Sequence, residues 1–176
     1  MPSQEGIIEH FRRAAQTGLP VIAYKVSSRT GVRLSANAAA AILALDGVLG
    51  MKDSSGGTEL FSALTRLRVS KPILCGEDAS FLAMLHLGAA GGLLASANLR
   101  TETILETYRQ FRDGKTVQAE NSFHSLAPLI ERLFRESNPA PLKWLLSHQG
   151  TLASETLRLP LMPISGELGQ QLVKEL

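Results

Sequence analysis

The chain has one cysteine, Cys75, few aromatic residues and no long hydrophobic run. A single thiol excludes an internal disulfide and fits a reducing, cytoplasmic setting. No stretch approaches the roughly 18 uninterrupted apolar residues of a membrane span. The start, MPSQEGIIEH, lacks a basic region followed by a long apolar one, so it does not read as a secretory signal. Strong charge of one sign is also missing: 18 basic and 16 acidic residues leave a formal net charge of +2. The basic residues are scattered, without a stripe or interleaved aromatics, which excludes a nucleic-acid partner. No G-x-G-x-x-G or G-x-x-x-x-G-K-[ST] loop follows a strand-like run, so nothing points to a nucleotide cofactor. His10, His86, His124 and His148 lack metal-ligand spacing and read as surface or helix-packing residues. No cofactor or metal is expected.

What is present is an ordinary globular composition, 44% apolar over 176 residues, enough for a real core. Short apolar runs alternate with helix-period segments. EGIIEHFRRAAQTG sets Ile7, Ile8, Phe11 and Ala15 on one face and stops at Gly18. LPVIAYKV reads as a buried strand and SSRTGVRLS as a loop. Ser35 can cap the alanine-rich helix that follows. GVLGMKD is a second strand, and GTELFSALTRLRV a helix with Leu60, Phe61, Leu64 and Leu67 as its stripe. PILCGED is a third strand, SFLAMLHLGA a short helix, and GGLLASAN a fourth strand. TETILETYRQFRDG is a helix ending at Gly114. Beyond it the strands stop. VQAENSFHSLAPLIERLFRES reads as one long helix kinked at Pro128. LKWLLSHQG is another helix, and TLRLPLMPIS is extended.

Strand and helix in alternation with short connections imply a parallel sheet covered by helices. Two architectures fit, a doubly wound open sheet and part of a (β/α) barrel. A closed eight-stranded barrel needs about 250 residues, so this chain has room for four β/α units and a helical tail. The expected division is a half (β/α) barrel over 1–115 and a C-terminal helical region over 116–176.

One lysine raises a chemical question. GVLGMKDSSGG places Lys52 at the end of an apolar run, where a barrel gathers its functional side chains. Tyr24 ends the preceding strand, Arg29 lies in the loop after it, and Gly76 ends PILCG, followed by Glu77 and Asp78. An amine held in an apolar wall loses hydration of its charged form, and a neutral amine can attack a ketone to form a Schiff base. Tyr24 could shuttle the proton, and Arg29 could hold a carboxylate. Spacing alone equally allows the plainer readings: a solvated lysine, a core tyrosine, an ion-paired arginine. Cys75 reads as a small core residue.

The motifs carry a likeness that decides among these. Y-K-V-S-S-R-T-G with Lys52 downstream resembles the Y-N-V-P-S-R-T-G … K-D/E-x-x-G signature of the dihydrodipicolinate synthase and N-acetylneuraminate lyase family. CGEDASFLAMLHLGAAGGLLASAN is similar to that family's S-G-D-D … L-G-x-x-G-V-I-S-V-x-A-N. NPAPLKW and TLRLPLMPIS match its C-terminal helical region. The resemblance implies a TIM-barrel lyase of lysine biosynthesis that condenses pyruvate with aspartate semialdehyde. Lys52 would form the Schiff base and Tyr24 would move the proton. Arg29 would bind the carboxylate of the second substrate. The main chain at Leu93 and the carbonyl of Gly76 would face pyruvate. A 2-keto-3-deoxy sugar acid aldolase and a non-catalytic half barrel stand as alternatives, and S-R-T-G favours the synthase.

Three departures follow. Lys25 replaces an asparagine and is expected to snorkel outward on the helix side of its strand. Ser27 replaces a proline, loosening the loop that carries Arg29. The chain is expected to begin just before the family's fifth strand, without the first four strands, the G-T-T-G-E loop, the tyrosine lent across the dimer and most of the lysine inhibition site. A half barrel has two open edges, so the expectation is a homo-oligomer that closes the sheet or else a poorly soluble protein.

Overall fold

The computed structural model describes all residues, 1–176. Two compact units divide it, Met1–Leu93 and Leu94–Leu176.

The first unit opens with α1 (Gln4–Ala15), capped by the Ser3 hydroxyl, which accepts from the Gly6 N–H at 3.1 Å. It continues through β1 (Val21–Lys25), a short helical turn α2 (Ser27–Thr30), α3 (Ala36–Ala44) and β2 (Val48–Asp53). Then come α4 (Glu59–Arg66), β3 (Ile73–Cys75), α5 (Phe81–His86) and β4 (Gly91–Gly92). The strands form one four-stranded sheet in the order β1-β2-β3-β4, and every pair is parallel. Each connection is therefore a crossover carrying a helix. Ser35 caps α3 as its position suggests, accepting from Ala38 N–H at 3.1 Å. α3 then buries Ala38, Ala39, Ile42 and Leu43; its small alanines let it lie close to α1, α4 and β2.

The two faces of the sheet differ. Strand side chains alternate, and Ala23, Met51, Asp53, Ile73 and Cys75 are buried on the face that the helices cover. The other face carries Ile22, Tyr24 and Lys52. Its Ile22 and Tyr24 are each 50% exposed. At Gly50 an added Cβ would stand 2.6 Å from the Pro72 carbonyl oxygen. Only glycine lets β2 approach the start of β3 so closely, and Met51 N–H donates to that same oxygen at 3.1 Å.

The second unit is helical: α6 (Thr101–Arg112), α7 (Thr116–His124), α8 (Ala127–Leu133), α9 (Ala140–His148) and α10 (Gly166–Leu172). Leu129, Leu133, Leu145, Leu168 and Leu172 form its core, flanked by Leu99, Leu142, Trp144 and Ile164. Arg132 pairs with Glu175, whose carbonyl also accepts from Arg100 at 2.8 Å. His148 stacks on Trp144 with ring centroids 3.7 Å apart, a packing role.

Three local expectations are corrected. The segment after Tyr24 is a closed helical turn, because Arg29 and Thr30 N–H both reach the Val26 carbonyl and Gly31, at φ 67°, returns its N–H to Ser27. The fourth strand pairs only at Gly91–Gly92, and Ser96–Asn98 is a 3₁₀ turn. Pro128 does not kink one long helix. It sits in the first turn of α8, where its missing N–H costs nothing, and α7 ends at His124.

Candidate active site

The C-terminal ends of the strands bring two of the candidate residues together. Tyr24 and Lys52 are register partners on β1 and β2, and Lys52 is in turn the partner of Leu74 on β3. The Lys52 Nζ stands 4.4 Å from the centroid of the Tyr24 ring. A cation over a ring face at an exposed site is worth about 0.5–1 kcal/mol, enough to give a long side chain a preferred direction. The pair lies on the uncovered face, so this chain alone does not wrap the amine in an apolar wall. Lys52 is half-buried and Tyr24 half-exposed.

Gly76 makes room for the lysine. A Cβ there would fall 2.6 Å from Lys52 Cε and 2.1 Å from Ser54 Oγ. The Gly76 N–H donates to the Asp53 carbonyl at 2.8 Å, and its own carbonyl accepts from the buried Ser54 hydroxyl at 3.1 Å. Residue 76 is thus held by main chain on one side and by Ser54 on the other. Leu93 follows β4, its N–H donating to the Cys75 carbonyl at 2.8 Å, its side chain 49% exposed. Arg29 is exposed on α2.

Acidic groups gather beside the lysine. Burial, more than the neighbouring Asp78, holds the Glu77 carboxyl above the usual carboxylate range, while Lys52 pulls it back down. Asp78 itself is buried. Burial pushes the Cys75 thiol up to about 11, and its Sγ lies 3.1 Å from the Glu77 carbonyl. The thiol is a buried core group.

Two features have no counterpart in the sequence reading. The first concerns Lys25. It does not snorkel into water; its Nζ lies 3.7 Å from Asp53 Oδ1, with the two side chains 11% and 1% exposed. Ser55 hydroxyl bridges them, accepting from Lys25 and donating to Asp53. The parity of two charged residues one step beyond Tyr24 and Lys52 was the available signal. The second is a groove of about 450 Å³ along the open side of β1, lined by Ile7, His10, Phe11, Tyr24, Lys25 and Val32 among others. It does not include Lys52. No group of three or more potential metal-binding side chains occurs, and no helix is long and apolar enough to cross a membrane.

Comparison with known proteins agrees with this fold. The dihydrodipicolinate synthetase family matches residues 1–176. 4-Hydroxy-tetrahydrodipicolinate synthase 2 of Clostridium acetobutylicum is 40% identical over 98% of this chain and 61% of its own length. The Escherichia coli 4-hydroxy-tetrahydrodipicolinate synthase is 34% identical, with 98% and 60% covered. Among solved structures, dihydrodipicolinate synthase from Thermotoga maritima superposes with a TM-score of 0.92 at 28% identity, over 99% of this chain and 61% of that one. The chloride-inhibited enzyme from Acinetobacter baumannii, solved with pyruvate, gives 0.92 at 30% identity, over 99% and 60%. The chain therefore spans about three-fifths of the length of these relatives. These structures are TIM-barrel proteins, and the four parallel strands here fit that architecture. The chain belongs to the dihydrodipicolinate synthetase family.

Proposed function

We propose that this chain carries the Schiff-base centre of a lyase that condenses pyruvate with aspartate semialdehyde, the step that leads toward lysine. One observation carries the reading: Lys52 Nζ stands 4.4 Å from the Tyr24 ring centroid on paired strand ends, with Gly76 leaving space for the lysine stem. The relatives named 4-hydroxy-tetrahydrodipicolinate synthase support a synthase of that compound, and the Acinetobacter baumannii enzyme solved with pyruvate supports the first substrate.

In this reading the unprotonated Lys52 amine adds to the pyruvate ketone, and Tyr24 hydroxyl gives the oxygen a proton. Water leaves and the imine forms. The Tyr24 oxygen, having given up its proton, takes one from the methyl group to leave the enamine, whose carbon attacks the aldehyde of the second substrate while Tyr24 returns the proton to the aldehyde oxygen. Arg29, which α2 carries just beyond β1, receives that substrate's carboxylate. The Leu93 main chain and the Gly76 carbonyl border the pyruvate. Ser54, which already donates to that carbonyl, keeps it fixed. The reaction needs no metal or organic cofactor, since the imine itself is the electron sink. A reducing cytoplasm suits the single thiol.

The uncovered face supports a further element: a homo-oligomer in which a second copy closes the sheet. Tyr24, Ile22 and Leu93 would then leave water. Light scattering coupled to size exclusion tests this, and a thermally stable monomer removes it.

The chemistry is tested by intact mass after incubation with pyruvate and borohydride. A single pyruvate adduct is expected, absent in Lys52→Ala. A folded sample with no adduct overturns the reading and leaves a non-catalytic module. If the adduct forms, turnover with aspartate semialdehyde against 2-keto-3-deoxy sugar acids separates synthase from aldolase.

A further inference from the structure

We propose that the buried Lys25–Asp53 ion pair, bridged by Ser55, is a positioning device that holds Tyr24 against Lys52. The inference deepens the Schiff-base reading above and rests on it for its kinetic arm only.

The geometry is a two-sided clamp. Tyr24 pairs with Lys52 and, one step on, Lys25 pairs with Asp53. Successive side chains point to opposite faces, so the reactive pair stands on the open face and the ion pair directly behind it on the covered one. β1 is an edge strand, held by β2 alone, whereas β2 is held on both sides. The end of β1, at Lys25, is therefore supported on one side only. Two links tie this end to β2 beyond the regular ladder. One is main chain, Ser54 N–H to the Lys25 carbonyl at 2.9 Å. The other is Lys25 Nζ to Asp53 Oδ1 at 3.7 Å, with Ser55 hydroxyl between them.

Asp53 makes this link sensitive. Its side chain is 1% exposed and its Oδ2 is buried with no hydrogen-bond partner. The carboxylate relies on Lys25 and Ser55 for compensation. A buried charge that loses its partner is strongly unfavourable, and the available relief is for the strand end to part and admit water. Tyr24 moves with it.

The test reads the contact directly. Lysine labelled with ¹³C at Cε gives a Lys52 signal, assigned by its loss in Lys52→Arg. In the wild type its Hε protons are expected upfield, shifted by the Tyr24 ring current, and Tyr24→Leu removes the shift. Lys25→Met and Asp53→Asn are expected to lose most of the upfield shift and to slow pyruvate trapping by up to about a hundredfold, the cost of a misplacement of about 1 Å. Lys25→Arg, which keeps the charge, is expected to retain both. If the single variants unfold, the neutral double variant Lys25→Met/Asp53→Asn decides: a lost shift supports the device and a retained shift overturns it. Folded single variants with an unchanged shift, or a wild type without one, also overturn it. A wild type that shows the shift but traps no pyruvate leaves the positioning intact and removes the Schiff-base reading alone.

Discussion

The two faces of the four-stranded sheet come from the same short strands, yet they obey different rules. On the covered face, Ala23, Met51, Ile73 and Cys75 are sealed by helices, and even the charges are paired, Lys25 with Asp53. On the open face, Ile22 and Tyr24 keep half their surface in water, and Lys52 is steered by one aromatic ring. The covered face holds the fold together. In the proposed reading the open face carries the chemistry, and the two-residue period of a strand separates it from the face that holds the fold together, so a substitution one position along should change which of the two suffers.

Paired truncations should break or bear out that contrast with the largest effect. Met51 is fully buried, and Met51→Ala removes packed atoms and leaves a cavity. A loss of about 2–5 kcal/mol is expected from urea denaturation. Ile22→Ala, on the other face of the neighbouring strand, should cost no more than about 0.5 kcal/mol, as at other exposed sites. Equal losses would mean that the open face is covered in solution, which is what a sheet-closing homo-oligomer would produce.

The next effect is smaller and falls at the junction of the faces. Gly76→Ala puts a Cβ 2.6 Å from Lys52 Cε and 2.1 Å from Ser54 Oγ. Ser54 is buried, and the Asp53 carbonyl behind it is main chain at 3.1 Å from the added atom. Neither can yield freely, so the lysine stem moves. Overpacking of this kind costs about 1–3 kcal/mol. The borohydride-trapped adduct should form more slowly, in a variant that still melts cooperatively. Wild-type trapping in a folded Gly76→Ala protein would show that the glycine is not what shapes the lysine channel.

Much of this organisation was legible in the sequence, for physical reasons. Helix stripes and strand runs have distinct periods, so the order of the elements followed, as did the Ser35 cap. The alignment of Tyr24 with Lys52 followed from both ending apolar runs before polar loops. What escaped depends on contacts between distant residues. How much of GGLLASAN pairs is set by β3, whose own strand is only three residues long. The break before Pro128 depends on where α7 can stop. Lys25 was correctly assigned to the helix side, but nothing local says that Asp53 waits there, so a snorkelling lysine was the expectation where a buried pair exists. The open edge was expected of a half barrel, but the groove along β1 is invisible to a pattern that records what a residue is and not what covers it.

The smallest effect sharpens the comparison most, because one residue feels both faces. Glu77 follows β3; burial and the nearby Asp78 and Asp53 raise its carboxyl above the ordinary value of 4.5, while Lys52 lowers it. A carboxyl whose affinity for protons is higher in the folded state binds more protons there than when unfolded. Stability then falls as pH rises from the ordinary glutamate range through the raised one. The folded protein carries an unfavourable ionised Glu77 at pH 8 that Glu77→Gln would not. The variant is therefore expected to melt slightly higher than wild type at pH 8, with the gap closing near pH 4, where the carboxyl is protonated in both states. The gap should be small because the group is partly solvated and screened. A gap that is equal at both pH values would mean that the substitution acts through packing and not through charge.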